Sequence, residues 1–196
     1  MENSDKEFYP QESLRLIESM IHTSRRTIGN NSHYFLLWGW SVMIGCIVQY
    51  YLIAIAEYRH HYFAWFVTPI TLVIHFYFIS KDEKKVGVKT FIDEATGYLW
   101  VALACTFIVF GFIFSKIGWQ YSFPFYILIY GIGTYVSGAL LKFQPLVLGG
   151  ISCGVLAVVT VFVPYNYQIL ITALAMLLSY IIPGHILRNR YKKLNA

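Results

Sequence analysis

The chain has 196 residues, of which 57% are hydrophobic, 18% aromatic and 13% charged, with a formal net charge of +5. A soluble domain carries about 25% charged residues, so this composition excludes an ordinary water-soluble globule, and its apolar content excludes a disordered chain. The 45 residues between Lys142 and Arg188 include no Asp, Glu, Lys or Arg. As helix they would extend roughly 68 Å, about twice a hydrocarbon core, so this stretch must cross a membrane and return.

The first thirty-odd residues are polar and mixed in charge, unlike the basic leader of a cleaved signal peptide, so the first span is expected to stay as an uncleaved anchor. Within them Leu14, Ile17, Ile21 and Ile28 recur at helical spacing, widened by Leu16 and Met20, while Glu12, Arg15, Glu18, His22, Arg25 and Arg26 take the other face. Pro10 suits a helix start and Gly29-Asn30-Asn31 a stop. The pattern predicts an amphipathic helix of about eighteen residues. Its apolar stripe is either a docking face for a cytoplasmic protein or a second copy, or an anchor on the membrane surface.

Six apolar segments of spanning length follow: Tyr34–Ala56, Tyr62–Ser80, Gly97–Ser115, Phe123–Leu141, Leu146–Val163 and Ile169–Leu187. The alternation of a membrane β-barrel is missing, so each is expected to be a helix. Trp38, Trp65, Trp100, Trp119, Tyr121, Tyr165 and Tyr167 lie near span ends, as an interfacial aromatic belt requires. With the N-terminus inside, thirteen of the fifteen Lys and Arg fall on the cytoplasmic side and only Arg59 and Lys116 on the other. That asymmetry predicts both termini in the cytoplasm. The segment from Lys81 to Glu94 mixes Lys with acids and reads as a solvated loop, with head-group contact the alternative.

The juncture Glu12-Ser13-Leu14-Arg15-Leu16-Ile17-Glu18-Ser19-Met20-Ile21, then Asn31-Ser32 and Tyr34-Phe35-Leu36-Leu37-Trp38-Gly39-Trp40, resembles a group of small bacterial inner-membrane proteins. In that group a cytoplasmic helix leads into an FLLWGW-type first span. The resemblance implies a multipass bacterial inner-membrane protein and supplies no catalytic residues.

The span interiors hold no Asp, Glu, Lys or Arg, which argues against a conventional ion-coupled transporter. Gln49 and His75 are the main strongly polar residues there. His75 reads as a hydrogen-bonding partner for a neighbouring helix, with ligand binding the alternative. Gly133 and Ser137, Thr134 and Gly138, and Gly150 and Gly154 are spaced by four, which places small side chains on one helix face for close packing. Any cavity there would be lined by Tyr130, Thr134 and Tyr135.

Gly150-Ile151-Ser152-Cys153-Gly154 matches G-x-S-x-G, and with His185 it looks like the Ser–His dyad of rhomboid intramembrane proteases. It departs from them in having Cys153 directly after the serine and in placing that serine in the fifth span. An α/β-hydrolase triad is excluded, because no acid follows Glu94. Cys46, Cys105 and Cys153 all fall inside spans without a CxxC pair, so disulfides, metal and cofactors are not expected. Nucleic-acid binding is not expected either.

The expected architecture is therefore all-α: a cytoplasmic segment over residues 1–33, a six-helix transmembrane bundle over 34–187 and a basic cytoplasmic tail over 188–196. The expected function is a non-enzymatic sensor, regulator or accessory subunit of the bacterial inner membrane, in contact with the lipid bilayer and coupled to a cytoplasmic partner or to another copy of itself. The alternative is a small permease or lipid-handling protein with an uncharged cavity, and an intramembrane serine hydrolase is the remote one.

Overall fold

The computed structural model of the protein describes residues 10–83 and 91–194, and for residues 10–31, 82, 83, 91, 191 and 194 it describes the backbone alone. Every regular element among them is helical: α1 (Pro10–Ala54), α2 (Val67–Glu83), α3 (Phe91–Ile117), α4 (Ser122–Leu140), α5 (Gln144–Val161), α6 (Tyr165–Met176) and α7 (Ile182–Leu194). A 3-10 turn over His61–Phe66 precedes α2, another over Trp119–Tyr121 precedes α4, and a π turn over Leu177–Ile181 joins α6 to α7. Six segments are long and apolar enough to cross a membrane: Ser32–Ala54, His61–Lys81, Ile92–Ile117, Trp119–Leu140, Gln144–Val161 and Tyr165–Arg190. They follow the spans expected from sequence. The third begins earlier than its apolar run because Asp93 and Glu94 occupy the first turn of α3, where carboxylates complement the positive end of the helix dipole.

One expected break is not there. Gly29-Asn30-Asn31 does not end a helix, and α1 runs unbroken through it into the first span. An interior Gly costs about 1 kcal/mol relative to Ala and Asn less. Stopping the ladder there would leave up to four carbonyls and four amides unpaired at the edge of an apolar span. The boundary expected at residue 33 is thus not a hinge in the backbone, and the tail beyond residue 187 continues α7 to Leu194. The stripe side chains Leu14, Ile17, Ile21 and Ile28 lie outside the described residues, as do residues 84–90 of the second cytoplasmic segment.

The turn between α4 and α5 is tight. Lys142 adopts φ +50°, the amide of Phe143 donates to the carbonyl of Gly138 at 2.8 Å, and that of Lys142 to Ala139 at 3.1 Å. This pair of bonds is a Schellman ending with lysine where glycine is usual. It turns the chain directly into α5, whose first turn contains Pro145.

Helices α4 and α5 then lie close along their length. A Cβ on Gly131 would meet the Cβ of Cys153 at 2.7 Å, one on Gly138 the amide nitrogen of Val147 at 2.7 Å, and one on Gly150 the backbone nitrogen of Tyr135 at 2.6 Å. Gly149, on a neighbouring face of α5, lies against the π turn, with Ser179 Cα 2.8 Å from its virtual Cβ. Gly39 of α1 approaches the same turn, 2.7 Å from the Cβ of Tyr180.

These contacts separate glycines that sequence alone groups together. Gly150→Ala is expected to cost about 1–3 kcal/mol, because its new methyl meets backbone that cannot yield. Gly154→Ala meets nothing within 4 Å and should leave stability unchanged or raise it by up to about 1 kcal/mol. Unfolding in mixed detergent micelles checks this, and equal loss in both variants would contradict the packing described.

Candidate functional site

Polar side chains inside the bundle gather at two levels of α1. The first is near its C-terminal end, where Gln49 is 2% exposed. Trp65 Nε1 donates to Gln49 Oε1 at 2.9 Å. Because an indole can only donate, this bond fixes the amide orientation. The Gln49 Nε2 then donates to His61 Nδ1 at 3.2 Å and to the Tyr165 hydroxyl at 3.4 Å. His61 must accept through Nδ1, so the neutral ring carries its proton on Nε2. The Tyr165 ring also leans on Phe123, with centroids 5.5 Å apart. One glutamine thereby ties together α1, the 3-10 turn, α6 and the start of α4.

The second level is on the half of the span nearer the chain terminus. Trp38 Nε1 donates to His75 Nδ1 at 3.3 Å, and Tyr34 meets the His75 ring edge-on at 5.0 Å. Between the two levels, Thr71 Oγ1 lies 2.7 Å from Ser41 Oγ and also bonds the Val67 carbonyl. Of the two residues singled out from sequence as possible ligand contacts, Gln49 thus engages both its amide atoms with other elements of the bundle, and His75 engages Nδ1 with α1.

Tyr130, Thr134 and Tyr135, grouped by sequence around a possible cavity, are divided by the fold. Thr134 is buried and donates to the Tyr130 carbonyl at 2.7 Å. Tyr130 packs edge-on against Tyr180 at 5.7 Å and against Phe107 at 4.9 Å. Tyr135 points away, 45% exposed, into a shallow apolar groove of about 250 Å³ beside Gly131, Gly150 and Gly154. The three do not line one cavity, because consecutive positions on α4 diverge by about 100°.

The small residues are divided too. Gly133 serves the contact with α3, where Leu103 and the Trp100 ring stand 2.7 and 2.9 Å from its virtual Cβ. Gly138 and Gly150 serve α4–α5, and Ser137 is fully buried. A Cβ on Gly154 would meet nothing within 4 Å, although its backbone nitrogen lies 3.6 Å from one placed on Gly131, so Gly154 borders the shallow groove without a close approach of its own. Gly39 and Gly131 make close approaches that spacing by four within a single pattern does not flag, whereas Gly149, in four-residue register with Cys153 and Ala157, is in that pattern. The Ser152 hydroxyl donates to the Gly149 carbonyl of its own helix at 2.7 Å, whereas His185 lies exposed on α7. The fold does not join them as a dyad. Among the described residues no group of three His, Cys, Asp or Glu could hold a metal ion.

A larger cleft of about 670 Å³ lies along α1 between α2 and α7, lined by Leu36, Trp40, Ile44 and Val67 and, at one end, by Arg188 and Lys192. Sequence reasoning missed it because its walls come from distant parts of the chain. Comparison with known proteins finds no matching family model, no similar curated protein and no similar solved structure.

Replacing Gln49 by Leu leaves the Trp65 indole and Tyr165 hydroxyl without that partner. The Gln49→Leu/Trp65→Phe double-mutant cycle is expected to show a coupling of about 0.6–1.7 kcal/mol in detergent unfolding. Additive losses would mean the bond contributes nothing.

Proposed function

We propose that this is a non-enzymatic multipass protein of the bacterial cytoplasmic membrane, with both termini in the cytoplasm. It would act as a regulatory or accessory subunit that couples its bundle to a cytoplasmic partner. The observation that carries this reading is the unbroken helix α1, which continues the first span into the segment bearing the amphipathic stripe. A helix that turned along the bilayer surface would need a break near residues 29–31, and α1 has none. Its membrane half makes polar and aromatic contacts with α2, α6 and the π turn, so movement of either end would be felt at the other. The bundle axis is filled by Ile127, Leu146, Met176 and Tyr180, which favours a regulator over a small permease with a central cavity. The orientation rests on the lopsided distribution of Lys and Arg.

Photo-crosslinking residues at Ile17 and Ile21, used in native membranes with mass spectrometry, are expected to capture one distinct cytosolic protein. Products confined to lipid or to the chain itself would overturn the docking role. For orientation, single cysteines replacing Arg59 and Lys85 are compared with a membrane-impermeant maleimide on intact cells. Labelling at 59 and protection at 85 is expected, and the reverse would refute it.

A further inference from the structure

The cleft along α1 combines two chemistries arranged end to end. Its wall is apolar: Leu36, Trp40 and Ile44 recur every fourth residue on one side of α1, and Val67 faces them from the start of α2. Both Trp40 and Ile44 are exposed to the surroundings of the bundle, at 43% and 48%. At the opposite end stand Arg188 and Lys192, both exposed and one helical turn apart on α7, beside His33 of α1. The last acid in the sequence is Glu94, so α7 carries Arg188, Arg190, Lys192 and Lys193 with no carboxylate of its own to neutralise them.

The dimensions match one leaflet. From His33 to Ile44 the helix rises roughly 16 Å, about half of a ~30 Å hydrocarbon core. The cleft is therefore charged at the membrane surface and apolar to mid-depth, and its volume lies in the range of small-molecule sites. A guanidinium presents a planar fork suited to two phosphate oxygens, and an ammonium one turn away adds a point charge. The close approach of Gly184 to Leu36, whose side chain is 3.0 Å from a virtual Cβ, brings α7 against α1 at this end, beside the groove that Arg188 and Lys192 line.

We propose that this cleft is a binding site for an anionic phospholipid. Its phosphate head sits on Arg188 and Lys192, and one acyl chain lies along Leu36, Trp40 and Ile44 towards Val67. Occupancy bridges α1 and α7, and so loads the helix that leads to the amphipathic stripe. The site depends on the membrane reading but not on the docking partner. Its failure would leave the crosslinking result untouched, and the converse holds.

The full chain is purified in a mild detergent and exposed to equal amounts of phosphatidylglycerol and phosphatidylcholine, with retained lipid measured by native mass spectrometry. Two cations at the head position predict a preference for phosphatidylglycerol of about thirty-fold. The Arg188→Gln/Lys192→Gln variant should reduce this to severalfold at most, with its unfolding midpoint in lipid-free detergent unchanged. Arg190→Gln/Lys193→Gln, equal in charge but outside the cleft lining, should retain it. Ile44→Trp, which fills the deep end, should lower retention severalfold without altering the head-group preference. Equal retention of the two lipids, equal losses in the two charge variants, or full displacement by inorganic phosphate alone would each overturn the proposal. The last two outcomes would indicate general tail charge and a bare anion site respectively.

Discussion

Tyr180 stands where four helices meet, and most of the bundle is arranged by what its neighbourhood permits. Its ring meets Phe35 of α1 at 5.6 Å, Trp100 of α3 at 6.3 Å and Tyr130 of α4 at 5.7 Å. The residue before it, Ser179, abuts Gly149 of α5. The turn that carries it is a π turn, locally wider than an α-helix. Pro183 cannot donate a hydrogen bond to the carbonyl of residue 179, and its ring would crowd that carbonyl in a regular helix. The chain responds by moving to i−5 pairing, with the Ile182 amide bonded to the Leu177 carbonyl. The Ser179 hydroxyl turns back to the Ala175 carbonyl at 2.6 Å. The widened turn pushes Tyr180 inward, and Gly39 and Gly149 supply the missing side-chain volume that receives it.

Where lipid surrounds the bundle, polar atoms have no water to fall back on. The interior answers with short local bonds: Thr134, Thr160, Thr172 and Ser179 each donate to the carbonyl one turn back. Gln49 and His75 instead reach across to other helices, and each does so through a tryptophan indole. Those two tryptophans, Trp65 and Trp38, are also the residues whose aromatic bodies suit a membrane interface. The same tryptophan side chains thus combine bulky apolar rings with bonds between elements. That explains how a bundle without a single described internal charge pair keeps α1 in register with α2.

The spans were readable because an apolar run of about twenty residues has few physical alternatives. The continuity of α1 was not, since Gly29-Asn30-Asn31 carries a stop signal whose cost is smaller than that of orphaning backbone groups. Small residues at four-residue spacing in α4 and α5 correctly suggested close approach. Which neighbour each one meets depends on how three helices are rotated, and Gly133, Gly150 and Gly154 end up facing three different surroundings. The cleft was illegible for a similar reason: residues 36–44 and 188–192 are brought together only by the antiparallel docking of α7 on α1. A π turn leaves only a faint trace in sequence, here a proline four residues after a serine.

The helical repeat of α1 has a geometric consequence for whatever meets its outer half. Eighteen residues make about five complete turns, so position 14 stands directly above 32, 17 above 35, 21 above 39 and 28 above 46. All four lower positions, Ser32, Phe35, Gly39 and Cys46, are buried against the other helices. Along the backbone of α1, positions 14, 17, 21 and 28 therefore repeat the register of the buried face of the first span.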